Sequence, residues 1–217
     1  SGGNATALTN SRASGADSFA AAIANNTSTY GATGANSIAI GYQAKASGGY
    51  GSVAIGRTAT AEAGSNVYNV VAIGNSYASG QNSFAAGGGN SSSSYGAKGN
   101  NSIAIGSQSM SQGTSGFALG SFAQVYSGGL YGYAIGRDAT VSNDYGYALG
   151  YKATTRIDGQ FAFSGTGQIN GHLGGTAQSN IFVLKSDTTD ATAEALTTDN
   201  ATATTTNQIV LQNESAM

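Results

Sequence analysis

The 217-residue chain contains no cysteine, no proline and no tryptophan, and only 8% of its residues are charged. Without cysteine it can form neither disulfides nor thiolate metal sites, so its stability must come from backbone ladders and subunit contacts. Its formal net charge of −2 lacks the basic footprint of a nucleic-acid-binding protein and gives no attraction to anionic membranes. No apolar run approaches the about 18–20 residues of a membrane span. We therefore expect neither a nucleic-acid partner nor membrane insertion in this segment.

A six-residue phrase recurs ten times between residues 18 and 164, for example as NSIAIG at residues 36–41 and YGYALG at residues 145–150. One position of the phrase is always alanine: Ala20, Ala39, Ala54, Ala72, Ala85, Ala104, Ala118, Ala134, Ala148 and Ala162. A glycine closes every copy except the first and the last, as expected of capping repeats. The copies are 13 to 19 residues apart, which is too short for a helix pair or a propeller blade and predicts one coil of a β-solenoid.

Apolar side chains alternate around each phrase alanine, as Ile38 and Ile40 do around Ala39. A second, weaker alternation follows the glycine, as at residues 42–46 and 57–61. A period of two indicates strands, so each coil is expected to contain two short strands. The fold class predicted is all-β: a parallel β-solenoid of about ten two-strand coils, which would form a rod about 45 Å long at about 4.8 Å per coil.

The alanine strand has one large and one small face, because Ile38 and Ile40 point opposite to Ser37, Ala39 and Gly41. A face limited to such small groups requires a close-packed neighbour, which is either the opposite strand or another chain. Because the core of so narrow a coil is thin, lateral association is attractive and the other chain is preferred. We expect an obligate oligomer whose close-packing face contains Ala39, Ala54, Ala72, Ala104, Ala118, Ala134 and Ala148.

Two segments carry a family resemblance. NSIAIGYQAKA at residues 36–46 and GSVAIGRTATA at residues 51–61 resemble the head repeat of trimeric autotransporter adhesins, the YadA-like head. The resemblance covers residues 18–164 and implies a homotrimer of left-handed parallel β-rolls. We expect the alanines to form a trimer or close-packing face, and residues 1–17 to be a lead-in or cap. No heptad stalk or neck motif follows the repeats, so a bacterial autotransporter is only one alternative.

The C-terminal residues are similar to a different group of proteins. Residues 180–192 and 206–211 look like a segment of tail-fibre-like proteins of marine and cyanobacterial phages, which use the same head repeat. We expect a glycine-rich linker at residues 165–180 and the start of a C-terminal β module at 181–217. That module would contain strands at residues 181–185 and 208–211 and a short helix at 190–196. The chain is expected to be a segment of a longer polypeptide.

Together these features predict a structural, adhesive fibre segment for attachment to a host or cell surface. The resemblance implies an extracellular protein of the phage tail-fibre type, or alternatively a bacterial trimeric autotransporter adhesin head. The partners would be further copies of the chain and a surface receptor, with glycans among the candidates. A third class, a solenoid that binds ice or a polysaccharide lattice, needs a flat ladder of identical residues. Thr58 and Thr60 recur only as Thr140 and Thr154, so that ladder is broken.

Tyrosines are the best candidates for surface contacts, because a flat apolar ring with a hydroxyl suits both sugars and proteins. Tyr131 and Tyr145 share a position before the strand, Tyr50 matches them farther up, and Tyr95 lies in an insertion. The alternative is that stacked tyrosines only stabilise a ladder.

Two further pairs of residues follow from the same alignment. Arg137 and Tyr151 share a position on neighbouring coils, which allows either a cation–π pair or a solvated arginine. Tyr133 and Tyr147 occupy the position of Phe117 and Phe161, for which we expect a core role.

The sequence offers few candidate catalytic residues. His172 is the only histidine and lies in a glycine-rich stretch, as expected of a solvated loop residue. Asp138, Asp144 and Asp158 fall on consecutive coils, but at offsets from the phrase glycines that we interpret as different, which argues against the aligned acid pair of a glycan-cleaving spike. The calcium-binding nonapeptide of other β-rolls is missing as well. We expect no catalytic residues, no cofactor and no metal site.

Overall fold

The structure is a computed structural model that describes residues 3–8, 10–21, 29–62, 64, 66–90, 94–165, 178–187, 195–199, 201–204 and 207–208. These ranges contain twenty β-strands and no helix. In chain order the strands are β1 Thr6–Ala7, β2 Phe19–Ala21, β3 Gly31–Ala32, β4 Ile38–Ile40, β5 Lys45–Ser47, β6 Val53–Ile55, β7 Thr60–Glu62, β8 Val71–Ala78, β9 Phe84–Asn90, β10 Gly96–Ala97, β11 Ile103–Ile105, β12 Met110–Ser111, β13 Phe117–Leu119, β14 Gln124–Val125, β15 Tyr133–Ile135, β16 Thr140–Val141, β17 Tyr147–Gly150, β18 Thr154–Thr155, β19 Phe161–Ser164 and β20 Ser179–Ile181. The prediction of an all-β solenoid of about ten coils is confirmed.

The strands form two parallel ladders that run along the rod. Sheet A contains the alanine phrases, in the order β1, β2, β4, β6, β8, β9, β11, β13, β15, β17 and β19. Sheet B contains the second strand of each coil, in the order β3, β5, β7, β8, β10, β12, β14, β16 and β18. The long strand β8 belongs to both sheets, because it continues around the corner that the other coils turn.

The phrase alanines pair in register, each with the alanine of the next coil. Ala20 pairs with Ala39 and Ala148 pairs with Ala162, so the column is unbroken between them. Ala7 pairs with Ala20 and thereby adds one rung before the ten recognised in the sequence. Part of the expected lead-in at residues 1–17 is thus a strand of sheet A.

The interior lies between the two sheets of each coil and is filled by small side chains. The phrase alanines from Ala20 to Ala162 are 0–1% exposed, and Ala46 and Ala61 of sheet B, facing the same interior, are fully buried. The expectation that another chain covers the alanine face is therefore wrong: its close-packed neighbour is the opposite strand of the same coil. The sheets approach so closely that among the described residues the largest fully buried side chains are valines and threonines.

The large side chains of sheet A consequently lie outside. Tyr133 and Tyr147, for which we expected a core role, are 36% and 43% exposed, and Phe161 of the same column is 36% exposed. The physical reason is the alternation itself: once the small face turns inward, every residue next to a phrase alanine must point away from the coil. The apolar surface of the rod is therefore on its outer face.

Each coil turns at residues with a left-handed backbone. Three positions before the phrase alanine stand Asn36, Asn101 and Tyr145, with φ between 53° and 55°. Among residues other than glycine, asparagine is several-fold enriched in this conformation, whereas a bulky residue such as tyrosine is unusual there. The phrase-closing glycines have φ between 82° and 138°, a region that other residues rarely adopt.

The C-terminal end of the rod is covered by a strand of opposite direction. β20 pairs antiparallel with β19, and the Gln178 side chain bonds the backbone N–H and C=O of Thr154 at 2.9 and 2.8 Å. The expected strand at residues 181–185 instead ends at Ile181 and begins two residues earlier, because it pairs with β19. Lys185 then forms an isolated antiparallel bridge with Thr197. Most of the expected helix and of the second strand lies outside the described residues, as do residues 166–177 of the expected linker.

Candidate recognition surface

The outer face of sheet A is an apolar surface two columns wide. One column precedes the phrase alanines and the other follows them. Its side chains are exposed or half-buried, with Ile38 at 36%, Ile73 at 40% and Phe163 at 50%. The columns contain Ile38, Ile40, Val53, Ile55, Val71, Ile73, Phe84, Ile103, Ile105, Phe117, Leu119, Tyr133, Ile135, Tyr147, Leu149, Phe161 and Phe163. A contiguous apolar surface of this length marks an interaction site rather than ordinary protein surface.

The surface changes character along the rod. Its N-terminal coils are mainly aliphatic, whereas an aromatic ladder occupies the last four coils. Phe117 and Tyr133 have ring centroids 6.0 Å apart, Tyr133 and Tyr147 stack at 4.8 Å with planes 3° apart, and Tyr147 and Phe161 are 6.2 Å apart. Stacking of this kind stabilises the ladder and fixes the rings before any contact is made.

The outer face of sheet B is polar by comparison. Lys45, Thr60 and Thr140 lie there, and the Lys45 Nζ atom is 2.5 Å from Glu62 Oε1 of the next coil. Thr60 pairs with Lys45 on one side and Tyr77 on the other, so no flat threonine ladder forms. This irregular column offers no repeated surface to a crystal lattice.

The corner that leads into sheet A carries exposed tyrosines in two pairs. We call leading corner the residues three and four positions before each phrase alanine. Tyr50 and Tyr68 stack at 5.7 Å, and Tyr131 and Tyr145 stack at 5.4 Å with planes 5° apart. The exposed fractions of the four side chains run from 38% to 58%. Tyr50 pairs with Tyr68, one position earlier in the coil than Tyr131 and Tyr145, so the match of Tyr50 to those two is wrong by one residue.

An amide ladder lies between the two tyrosine pairs. The Asn69 side-chain N–H donates to Asn82 Oδ1 at 3.0 Å, and the Asn82 N–H donates to Asn101 Oδ1 at 3.1 Å. One position earlier, the backbone N–H of Gln81 donates to Asn100 Oδ1 at 3.1 Å. This ladder was not predicted from the sequence, although asparagine three positions before the phrase alanine on consecutive coils could have indicated it. The tyrosine pairs and the ladder together form one polar and aromatic edge.

The opposite corner, which follows the phrase glycine, holds the predicted cationic and aromatic residues. The Arg137 guanidinium carbon is 5.7 Å from the ring centroid of Tyr151, and Lys152 Nζ is 5.3 Å from it. The Arg137 Nε atom also lies 3.4 Å from Asp138 Oδ2. Tyr95 is half-buried before β10 and takes no part in either corner.

Asp144 and Asp158 occupy the same position on neighbouring coils. Asp158 Oδ1 accepts the backbone N–H of Asp144 at 3.0 Å, and Asp144 Oδ1 accepts the N–H of Leu130 at 2.9 Å. The interpretation that their offsets differ is therefore wrong for this pair. The pKa of Asp158 is raised, and burial is the largest cause. The hydrogen bond from the Asp144 backbone N–H lowers this pKa, whereas the negative charge of Asp144 adds to the rise. Because each carboxylate holds a turn of the preceding coil, their geometry is that of structural caps.

Other candidate sites are few in the described part of the chain. No three histidine, cysteine, aspartate or glutamate residues of the described ranges are grouped so as to hold a metal ion. No helix there has the length and apolarity to cross a membrane. His172 lies outside the described residues.

The family model of the YadA head domain repeat matches the chain twice, over residues 32–57 and 97–123. No curated protein matches the chain. The first match runs from the end of β3 through β6, and the second from the end of β10 through β13. Each match therefore covers strands of both sheets, and the resemblance drawn from residues 36–46 and 51–61 is confirmed.

Proposed function

The chain carries the YadA head domain repeat, and from this we propose that it is a segment of an adhesive fibre in which three copies pack side by side. The repeat and the β-solenoid fit a structural, adhesive, trimeric adhesin-like fibre. The proposal adds that the association is an obligate homotrimer and that it is made through the outer face of sheet A.

The observation that carries the proposal is the exposure of that face. The interior of each coil contains mainly alanine, serine and glycine, so most of the large apolar side chains lie outside. Burial of apolar area is the main favourable term in association, at roughly 25 cal/mol per Å². A face about ten rungs long, at about 4.8 Å per rung, gives three rods a shared core along their whole length. The polar outer face of sheet B would then point to solvent.

The fibre would act outside the cell as an attachment device. Three copies of weak contacts, repeated around the fibre, give net adhesion through avidity without a deep pocket. The partner would be a receptor on a host or cell surface. Similarity of residues 180–192 to phage tail-fibre-like proteins favours a virion fibre, and a bacterial trimeric adhesin head is the alternative. We propose no enzymatic activity, no cofactor and neither a nucleic-acid partner nor membrane insertion for this segment.

Native mass tests the assembly. We expect light scattering to give three times the chain mass of 21.4 kDa. Ile55→Lys would place a charge on the outer face of sheet A and is expected to lower that mass, because a buried unpaired ammonium is costly. The matched control is Thr140→Lys on the outer face of sheet B, which should leave the mass unchanged. A monomeric unsubstituted protein would refute the proposal.

Attachment and origin need separate measurements. Beads coated with the trimer should bind whole cells of its host more strongly than beads coated with the Ile55→Lys variant, since avidity is lost with the assembly.

Antibodies against the chain should label virion tails in electron micrographs if the fibre is viral, and intact bacterial surfaces if it is an adhesin head.

A further inference from the structure

We propose that the leading corner is a binding track for a neutral, linear glycan that lies along the rod. The inference rests on the proposed function, since it names the chemical class of receptor that the fibre would recognise. The track extends from the Tyr50–Tyr68 pair to the Tyr131–Tyr145 pair, with the ladder that joins Asn69, Asn82 and Asn101 between them.

The arrangement of the track matches an extended polymer. Six rungs separate the coil of Tyr50 from the coil of Tyr145, which is about 29 Å at about 4.8 Å per rung. A single sugar cannot reach both tyrosine pairs, whereas an oligosaccharide of several units can. Because strands in a parallel ladder keep a constant spacing, contacts along this corner recur at regular intervals.

The aromatic ends of the track present rings suited to the apolar face of a pyranose. Tyr145 is 58% exposed and stacks on Tyr131 with one ring face. The next rung carries Gly159, whose amide donates to Asp144 O at 2.9 Å, and a methyl group added there would meet no atom within 4 Å. Because Gly159 has no side chain, it does not cover the second ring face of Tyr145, and a flat ring of C–H groups can stack on that face.

The amide ladder supplies aligned groups for sugar hydroxyls. Each asparagine amide has two N–H donors and a carbonyl with two lone pairs, and a ladder bond uses only one of each. The bonds between Asn69, Asn82 and Asn101 hold the amides in one orientation. Groups that are fixed before binding lose little conformational entropy on binding, which favours recognition by many weak contacts.

The charge of the track indicates a neutral ligand. Among the leading-corner residues from Tyr50 to Tyr145, Asp144 is the only acidic or basic residue. The cations Arg137 and Lys152 lie at the opposite corner, beside Tyr151. An anionic polysaccharide would meet no cation among the leading-corner residues themselves, Lys98 lying two positions before Asn100, and it would be repelled by Asp144. Hydroxyl-rich, uncharged sugars fit both the amides and the rings.

Affinity electrophoresis of the assembled protein through gels containing defined polysaccharides tests the proposal. The probes are a linear β-glucan, a galactomannan and dextran as neutral polymers, and alginate as an anionic one. We expect at least one neutral polymer to retard the protein and alginate not to do so. Because the chain contains twelve tyrosines and no tryptophan, a change in tyrosine fluorescence should accompany the binding.

The variants are chosen to keep the fold. Tyr131→Asn and Tyr145→Asn introduce the residue that other coils carry at this left-handed position, and are combined in one protein. We expect about tenfold weaker retardation, as for the loss of an aromatic contact. Tyr42→Asn, which removes a 50% exposed tyrosine from the opposite corner, is the control and should bind as the unsubstituted protein does. Light scattering of each variant checks that the assembly is retained.

The outcomes separate the two proposals. Retardation by none of the neutral polymers, retardation by alginate alone, or equal retardation of the corner variant and the control would overturn the glycan track. If the same protein is then trimeric and its beads still bind host cells, the fibre proposal stands and the receptor is of another class, such as a protein. A monomer that binds no cells would instead overturn the proposed function.

Discussion

Gly132 and Val141 face each other across the interior of one coil, and a methyl group at Gly132 would place its carbon 2.6 Å from Val141 Cγ1. The next coil repeats the relationship with Gly146 and Thr155, at 2.8 Å to the threonine hydroxyl oxygen. In the N-terminal coils the equivalent positions hold serine and alanine: Ser37 with Ala46 and Ser52 with Ala61, all fully buried. The interior therefore keeps a nearly constant volume by exchanging small with large side chains in pairs.

This pairing predicts a compensating double substitution. Gly132→Ser alone should lower the free energy of unfolding by about 1–3 kcal/mol, because it overpacks the coil. Val141→Ala alone should lower it by a similar amount through the cavity that it leaves. The double variant recreates the serine–alanine pair of the N-terminal coils, and we expect it to regain about 0.5–3 kcal/mol relative to the sum. Urea unfolding of all four proteins measures this, and strict additivity would contradict it.

The phrase-closing glycines predict a second destabilising effect. A methyl group added there would collide with backbone atoms rather than with another side chain. Gly120 has φ +133°, and a methyl group there would lie 2.5 Å from the carbonyl oxygen of Gly136. Gly120→Ala should therefore destabilise by at least about 1–3 kcal/mol. Gly88→Ala is the matched control, since its methyl group meets no atom within 4 Å, and should stay within about 0.5 kcal/mol. Thermal unfolding at one protein concentration compares them; equal melting temperatures would contradict the prediction.

Strand positions could be predicted from the sequence because they depend on local alternation. The column from Ala20 to Ala162 pairs as the aligned phrases require, and the glycine after each phrase takes the positive φ expected of a tight turn. Which face turns inward could not be predicted in the same way. Alternation places Ile38 and Ala39 on opposite faces whichever is inside, and the choice depends on the distance between sheets A and B. Only the three-dimensional coil fixes that distance.

The leading corner was harder to predict, because insertions change the spacing between copies. Tyr68 stands 18 residues after Tyr50, with the extra residues of that coil between them. In the sequence Tyr68 therefore looks like an insertion residue, although it pairs with Tyr50 in the ladder. Asn82 and Asn101 are separated by the insertion that follows β9, so a fixed period does not align them, and only counting back from each phrase alanine does. Register between coils is a tertiary property and is set by the ladder bonds.

The amide ladder predicts a measurable contribution to stability. Asn82→Ala removes the bonds to Asn69 and Asn101, each worth about 0.5–1.5 kcal/mol. It also places alanine at a left-handed position. Asn36→Ala pays the same backbone penalty at φ 53°, but within the described part of the chain the Asn36 side chain makes no bond that would be lost. We expect Asn82→Ala to be the less stable by about 1–2 kcal/mol in urea unfolding, and equal stabilities would contradict a stabilising ladder.

The last prediction concerns pH. Burial is the main cause that raises the pKa of Asp158 above its ordinary value, since the bond from Asp144 only partly offsets it. A carboxyl whose pKa is raised by folding favours the folded state while it is protonated. Its contribution is complete below the unfolded value of about 3.9 and is lost as the pH rises through the folded pKa.

Asp158→Asn keeps an oxygen that can accept the Asp144 N–H but cannot ionise. We therefore expect the variant to melt at a higher temperature than the unsubstituted protein at pH 7 and at the same temperature near pH 3. Asp17→Asn removes an equal charge from an exposed position and controls for net charge. A higher melting temperature of Asp158→Asn at both pH values would show that ionisation is not the cause.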